Sequence, residues 1–154
     1  MGFTEIIQLI SAALGTLGFA VLFNIRGRKL IGVTLGGFIG WLVYLLCFFL
    51  KLDEMVCYFI SAIAISIYAE IMARVMKCPV TVIIAPSLIP LVPGASLYYT
   101  MSHIVSDKAQ FADRAFRTLG IAAALAGGII VSAIVTKLIT NITAEIKNKR
   151  KKQK

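Results

Sequence analysis

The feature that most constrains this chain is an apolar stretch, residues 81–100, that three prolines and a glycine interrupt. The interruptions are Pro86, Pro90, Pro93 and Gly94. Each proline removes a backbone donor and clashes with the preceding turn, so one regular helix cannot contain all three. At membrane depth, broken backbone is tolerated only where it is buried in protein or lines a watered cavity. The stretch therefore predicts a broken membrane span, a kind of segment that forms substrate sites in secondary transporters.

The composition of the whole chain is that of an integral membrane protein. Apolar residues make up 59% of the 154 positions and charged residues 15%, with a mean hydropathy of +0.90. An ordinary globular domain has about a quarter charged residues. The formal net charge is +9, but the basic residues cluster in short loops and in the C-terminal tail, as membrane topology signals do. We therefore predict a lipid bilayer around the chain and no nucleic-acid partner.

The hydrophobic runs predict an all-α integral membrane protein with about five transmembrane helices, the fourth of them broken by prolines. The predicted spans are residues 3–25, 30–50, 55–73, 79–101 and 115–140. Between the last two spans, residues 102–114 are a polar connection in which the pattern for a short interfacial helix is weak. Residues 1–146 are predicted to form a single transmembrane domain, followed by a basic cytoplasmic tail, residues 147–154. The basic segments share one side of the membrane if the N-terminus is outside and the C-terminus is cytoplasmic.

Small residues recur at every fourth position in two of the spans, which predicts faces for close helix packing. These positions are Gly32, Gly36 and Gly40 in the second span and Gly120, Ala124 and Gly128 in the last. In the first span, Gly15 and Gly18 suggest a further packing face. The pattern leaves open whether the faces pack within the chain or against a second protein, which includes a homo-oligomer.

The broken segment carries the candidate substrate-binding residues. A half-helix that begins near Pro93 would present free N–H groups and the positive end of its dipole, which favour a carboxylate. Hydroxyl groups nearby would add hydrogen bonds to a small carboxylate-bearing substrate. The candidates are Ser87, Pro90, Pro93, Gly94, Ala95, Ser96 and Tyr98. The alternative is a proline-kinked packing helix that binds no ligand.

Glu70 is the acidic residue furthest inside a predicted span, and it is the candidate for proton coupling. The alternative is an ion pair with Arg74, which follows at i+4 in the favourable orientation. His103 is the only histidine and has no ligand partners at metal-binding spacing, so we predict no metal and no cofactor. Motifs of membrane hydrolases are missing from the sequence, which predicts that the protein is not an enzyme.

Residues 86–99, PSLIPLVPGASLYY, resemble the signature of the threonine/serine exporter family, and IPLVPG at residues 89–94 is its most specific part. In length and in the position of this segment, the chain is similar to the small-subunit form of the family. The resemblance implies a prokaryotic plasma membrane protein that exports small amino acids such as threonine and serine, or a dicarboxylate such as succinate. It also implies a separate, larger membrane subunit as partner. Two alternatives remain: a non-transporting subunit that stabilises a larger transporter, and a homo-oligomeric small-solute channel.

Overall fold

The computed structural model describes the backbone of residues 2–106 and 108–152 and the side chains of residues 2–102 and 111–142. It is all-α within these ranges, as predicted. Its elements are α1 (Phe3–Leu22), α2 (Arg28–Phe49), α3 (Glu54–Met76), α4 (Val80–Leu88), a 3₁₀ turn (Ile89–Leu91), α5 (Gly94–Ser106) and α6 (Lys108–Lys152).

Local signals explain where the helices begin and end. Asp53 caps α3, since its carboxylate accepts a hydrogen bond from the Met55 N–H at 3.2 Å. At the other end of α3, Lys77 adopts a left-handed conformation with φ of 49°, and Pro79 then begins α4 as its N-cap. Gly27, with φ of 67°, caps α2 after the basic loop. The first three spans therefore lie within a few residues of their predicted bounds.

The polar connection predicted at residues 102–114 is more helical than expected. The end of α5 and the start of α6 cover it on both sides of residue 107, so the last helix begins well before residue 115. At its other end α6 continues through Lys152. The side chains of the basic tail, residues 147–154, lie outside the described residues, and the domain boundary at residue 146 stays a prediction.

The helices form a bundle in which α1, α2 and α3 run up and down beside one another, with α4 packed against α2 and α3. Close contacts fix the antiparallel register of α2 and α3: Tyr68 donates a hydrogen bond to the Gly32 carbonyl at 2.7 Å, whereas Gly40 lies against Ile65. One end of the bundle carries a basic cluster, Arg26, Arg28 and Lys29, against the end of α3. We call this the basic end, and the opposite end, which holds the loop between α2 and α3, the Asp53 end.

The helix α6 runs parallel to α3, and this fixes how the chain crosses the bundle. Arg117, early in α6, pairs with Glu54 at the start of α3, and Arg74 near the end of α3 donates to Thr140 at 2.8 Å. The segment between the two helices must therefore carry the chain from the basic end back to the Asp53 end. Within the described residues, four helices are long and apolar enough to span a membrane alone, and α4 with α5 passes the same test as a bent pair. Because this pair connects the two ends of the bundle, it fits the predicted broken span, the fourth of five in chain order.

Candidate functional site

The fourth span is broken around Pro90 and Pro93, whereas Pro86 lies inside α4 and does not end that helix. The α4 segment ends at Leu88, the 3₁₀ turn takes the chain to Leu91, and α5 begins at Gly94 with its axis turned by 50°. Pro93 precedes α5, and its carbonyl accepts from the Leu97 N–H at 2.9 Å. The N–H groups in the first turn of α5, which includes Ala95, have no acceptor within their own helix.

The Leu91 side chain is buried inside the bundle at the break. It is 1% exposed and packs in a cluster with Tyr58, Ile65 and Ile121, from α3 and α6. A Cβ added at Gly40 would also approach the Leu91 side chain, at 3.7 Å. The break is therefore buried in protein on one side, at Leu91 and Pro93, whereas Val92 is 51% exposed.

The predicted residue Ser87 lies before the break and is fully buried between α4 and α2. Its hydroxyl is within hydrogen-bonding distance of the Ile83 carbonyl at 2.8 Å and of the Val33 carbonyl at 3.1 Å. Gly36 provides the room for it, since a Cβ there would collide with the Ser87 hydroxyl. In this conformation Ser87 joins two helices and does not face a cavity.

Two cavities of different chemistry flank the break. Pro90 and Trp41 line a largely apolar one of about 310 Å³, whose other wall is the first half of α1. Ser96 lines a polar one of about 390 Å³ between α3, α5 and α6 at the Asp53 end. The break therefore separates the predicted residues into two environments, and only the second is rich in charge.

The polar cavity combines both signs of charge with several hydroxyl groups. Its lining residues are Glu54, Ser96, Tyr99, Thr100, Asp113, Arg114, Arg117 and Thr118. Arg117 Nε donates to Glu54 Oε2 at 2.7 Å, which leaves the Arg114 guanidinium without an ion pair among the described residues. Thr100 and Thr118 are hydrogen-bonded through their hydroxyls at 3.2 Å, which joins α5 to α6.

Of this lining, only Ser96 was among the predicted binding residues, and Tyr99 and Thr100 were expected as nearby sources of hydroxyl groups. Asp113 and Arg114 belong to the predicted polar connection, residues 102–114. The sequence marks them only as a charged pair immediately before an apolar run, and this pattern does not indicate that they lie beside α5. Tyr98, a predicted site residue, instead points away from the bundle and is 70% exposed. Gly94 begins α5, and a Cβ there would meet no atom within 4 Å.

The candidate coupling residue Glu70 lies near the basic end, on the side of α3 that faces α6. Its carboxylate is 3.7 Å from the Arg74 guanidinium, and its side chain is 25% exposed. The two residues line a cavity of about 310 Å³ together with Thr136 and Lys137 of α6. The predicted alternative, an ion pair of Glu70 with Arg74, is thus present. The cavity also contains a second cation, Lys137, which the sequence did not associate with Glu70.

The glycines with four-residue spacing lie at helix contacts. Gly32 and Gly36 face α3 and α4, and Gly40 faces Ile65. On α6, Gly120 faces the Met55 side chain and Ala124 packs against the Tyr58 cluster, while Gly128 lies against the backbone of Phe59. On α1, a Cβ at Gly15 or Gly18 would meet no atom within 4 Å, so these two glycines do not pack closely against another described helix of this chain.

Comparison with known proteins agrees with these features. The sequence profile of the family described as Threonine/Serine exporter, ThrE, matches residues 8–135. Searches of curated proteins and of solved structures found no match. The matched region takes in the first four helices, the broken span and most of α6. The chain therefore belongs to the threonine/serine exporter family, a family of membrane transporters.

Proposed function

We propose that this chain exports threonine, serine or a similar small amino acid, and that it does so together with a larger membrane subunit. Family membership supports an exporter-type membrane transporter. The polar cavity between α3, α5 and α6 supports the substrate class. It adjoins the first turn of α5 and offers groups suited to each end of an amino acid.

The charge balance of the polar cavity is the observation that carries this proposal. Glu54 and Asp113 offset Arg114 and Arg117, so the described part of the lining has no net formal charge. A zwitterion suits such a lining, because Arg114 would bind the carboxylate and Asp113 the ammonium group. A dicarboxylate such as succinate would bring two negative charges to a cavity with one unpaired guanidinium. The cavity therefore favours an amino acid over succinate.

The surroundings of α5 support the need for a partner. Its main contacts are with α6, and it packs against no other described helix to a comparable extent. Tyr98, Tyr99 and Met101 leave 70%, 54% and 67% of their surfaces uncovered. Within a prokaryotic plasma membrane, with the N-terminus outside, this helix and the polar cavity would lie at the outer half of the bilayer. A larger subunit seated on α5 would close the open side of the cavity.

An efflux assay tests the proposal. Cells loaded with threonine, serine or succinate would express this chain, the larger subunit, or both. Efflux of the amino acids only when both are present is the expected result. Efflux with the larger subunit alone would indicate that this chain does not transport and only stabilises its partner. Efflux with this chain alone would favour a homo-oligomeric channel. Succinate efflux without amino-acid efflux would contradict the charge argument.

A pair of charge variants tests the polar cavity itself. Arg114→Gln removes the unpaired guanidinium, and Lys51→Gln removes a charge from the loop at the same end without touching the cavity. A hydrogen bond to a charged group contributes about 1.5–3 kcal/mol, which corresponds to roughly a tenfold or larger rise in the KM for threonine efflux. Equal KM values for the two variants would contradict the assignment.

The break is tested separately by Pro93→Ala and Gly94→Leu. Both variants alter the start of α5, where the substrate carboxylate is expected to meet free N–H groups. We expect slower efflux at unchanged amounts of inserted protein, measured by quantitative blotting of membranes. A normal rate in both variants would show that the start of α5 does not take part in export.

A further inference from the structure

The parallel helices α3 and α6 face each other through a regular ladder of side chains. The contact of Ala62 with Gly128 and that of Arg74 with Thr140 share one sequence offset. Between these two contacts, residues of α3 and α6 with the same offset lie opposite each other at every fourth position, which gives four pairs. In order toward the basic end, the pairs are Ala62–Gly128, Ser66–Ser132, Glu70–Thr136 and Arg74–Thr140. We call this ladder the α3–α6 seam.

The seam contains two buried hydroxyl groups that have no hydrogen-bond partner among the described residues. They belong to Ser66 and Ser132, which are 3% and 2% exposed. Other buried hydroxyls on these helices behave differently: Ser61 donates to the Cys57 carbonyl at 2.8 Å, and Thr118 donates to the Arg114 carbonyl at 2.8 Å. Buried polar groups without a protein partner are commonly satisfied by water. A water molecule at the level of Ser66 and Ser132 would satisfy these two hydroxyl groups.

The seam is apolar at the Ala62–Gly128 contact and polar on both sides of it. At this contact, a Cβ added to Gly128 would lie 2.7 Å from the Phe59 carbonyl oxygen. Below that contact come the two serines, and then the Glu70 cavity of about 310 Å³. Above it lies the polar cavity of about 390 Å³ around Glu54. Two charged cavities thus lie toward opposite ends of α3 and α6. They are separated by the Ala62–Gly128 contact and by the apolar contacts of Gly120 with Met55 and of Ala124 with the Tyr58 cluster.

We propose that the α3–α6 seam is the polar path through this protein. In the present conformation it is a water-containing half-channel that opens at the basic end and reaches Ser66 and Ser132. It is closed at the Ala62–Gly128 contact. This inference rests on the proposed export function, since a transported amino acid would follow the seam from the Glu70 cavity to the polar cavity at the Asp53 end.

Cysteine labelling tests the half-channel without any measurement of export. Single cysteines are introduced into the full chain, with its three native cysteines replaced by alanine, in membranes that also contain the larger subunit. The probe is a small, membrane-impermeant cationic methanethiosulfonate, applied to either face of the membrane, which reacts with thiolates formed in water. The test variants are Ser66→Cys and Ser132→Cys. Ser61→Cys is the matched control on α3, since its position is buried and its hydroxyl is satisfied. Thr140→Cys verifies access to the cavity.

We expect Ser66→Cys and Ser132→Cys to react from the basic end at least about tenfold faster than Ser61→Cys, because the thiolate is the reactive form. The two variants lie on different helices, so a folding defect in one leaves the other informative. If Thr140→Cys reacts and neither serine variant does from either face, the half-channel is refuted while the export proposal stands. If the serine variants react but the cells export none of the test substrates, the half-channel stands and the export proposal fails.

Discussion

Substitution of two adjacent glycines in α6 measures how tightly the α3–α6 seam is closed. A Cβ added at Gly128 would lie 2.7 Å from the Phe59 carbonyl oxygen and 2.8 Å from the Ala62 Cβ. Neither of these atoms can move without a shift of α3. A Cβ added at Gly127 would meet only ring atoms of Phe59, at 3.5 and 3.8 Å, which is ordinary van der Waals contact. Gly127→Ala is therefore a matched control for Gly128→Ala on the same helix.

The difference between the two variants isolates the steric cost. Replacing a helical glycine by alanine favours the helix by about 1 kcal/mol at either position, so this gain cancels. Overpacking of a well-packed contact costs about 1–3 kcal/mol. We expect Gly128→Ala to unfold with a free energy about 1–3 kcal/mol lower than Gly127→Ala. Unfolding in mixed micelles with increasing sodium dodecyl sulfate, followed by the fluorescence of the single tryptophan, Trp41, gives this difference. Equal stability of the two variants would refute the close approach of α3 and α6.

Two further comparisons address other contacts of the bundle. Gly37→Ala introduces a Cβ that collides with the buried Thr16 side chain of α1, whereas Gly18→Ala enters open space. We expect a loss of about 1–3 kcal/mol in the unfolding free energy for the first variant only, and equal losses would contradict the packing of α1 on α2. The Arg117–Glu54 pair has side chains that are 67% and 29% exposed. A double-mutant cycle with Gln at both positions should give a coupling below about 1 kcal/mol, and a coupling well above that would place the pair in a dry environment.

The membrane spans and the break were predictable because they depend on local chemistry. Hydropathy locates a span to within a few residues, and two prolines as close together as Pro90 and Pro93 disfavour a continuous helix between them. Ser96 was likewise identified because a hydroxyl one turn into a half-helix lies near its free N–H groups.

The partners of each face were not predictable, because sequence spacing identifies a face and not what covers it. Gly15 and Gly18 were expected to pack closely, yet the close approach on α1 occurs between Thr16 and Gly37. Ser66 and Glu70 are four residues apart and therefore share one face of α3, but their position opposite α6 depends on the chain returning through the broken span. Parallel pairing of two helices that lie far apart in the sequence leaves no local trace in either helix.

The broken span and the α3–α6 seam are mechanically connected through α5. This helix packs mainly on α6 and is tied to it by the hydrogen bond between Thr100 and Thr118. Because α6 is one continuous helix from Lys108 to Lys152, a change in the 50° bend at residues 92–93 would displace α6 along α3 and act on the contact at Gly128. Pro93→Ala restores a backbone N–H and relaxes the bend, so it should change the labelling rate of Ser132→Cys and leave that of Ser61→Cys unchanged. An unchanged rate at both positions would mean that the break and the seam act independently.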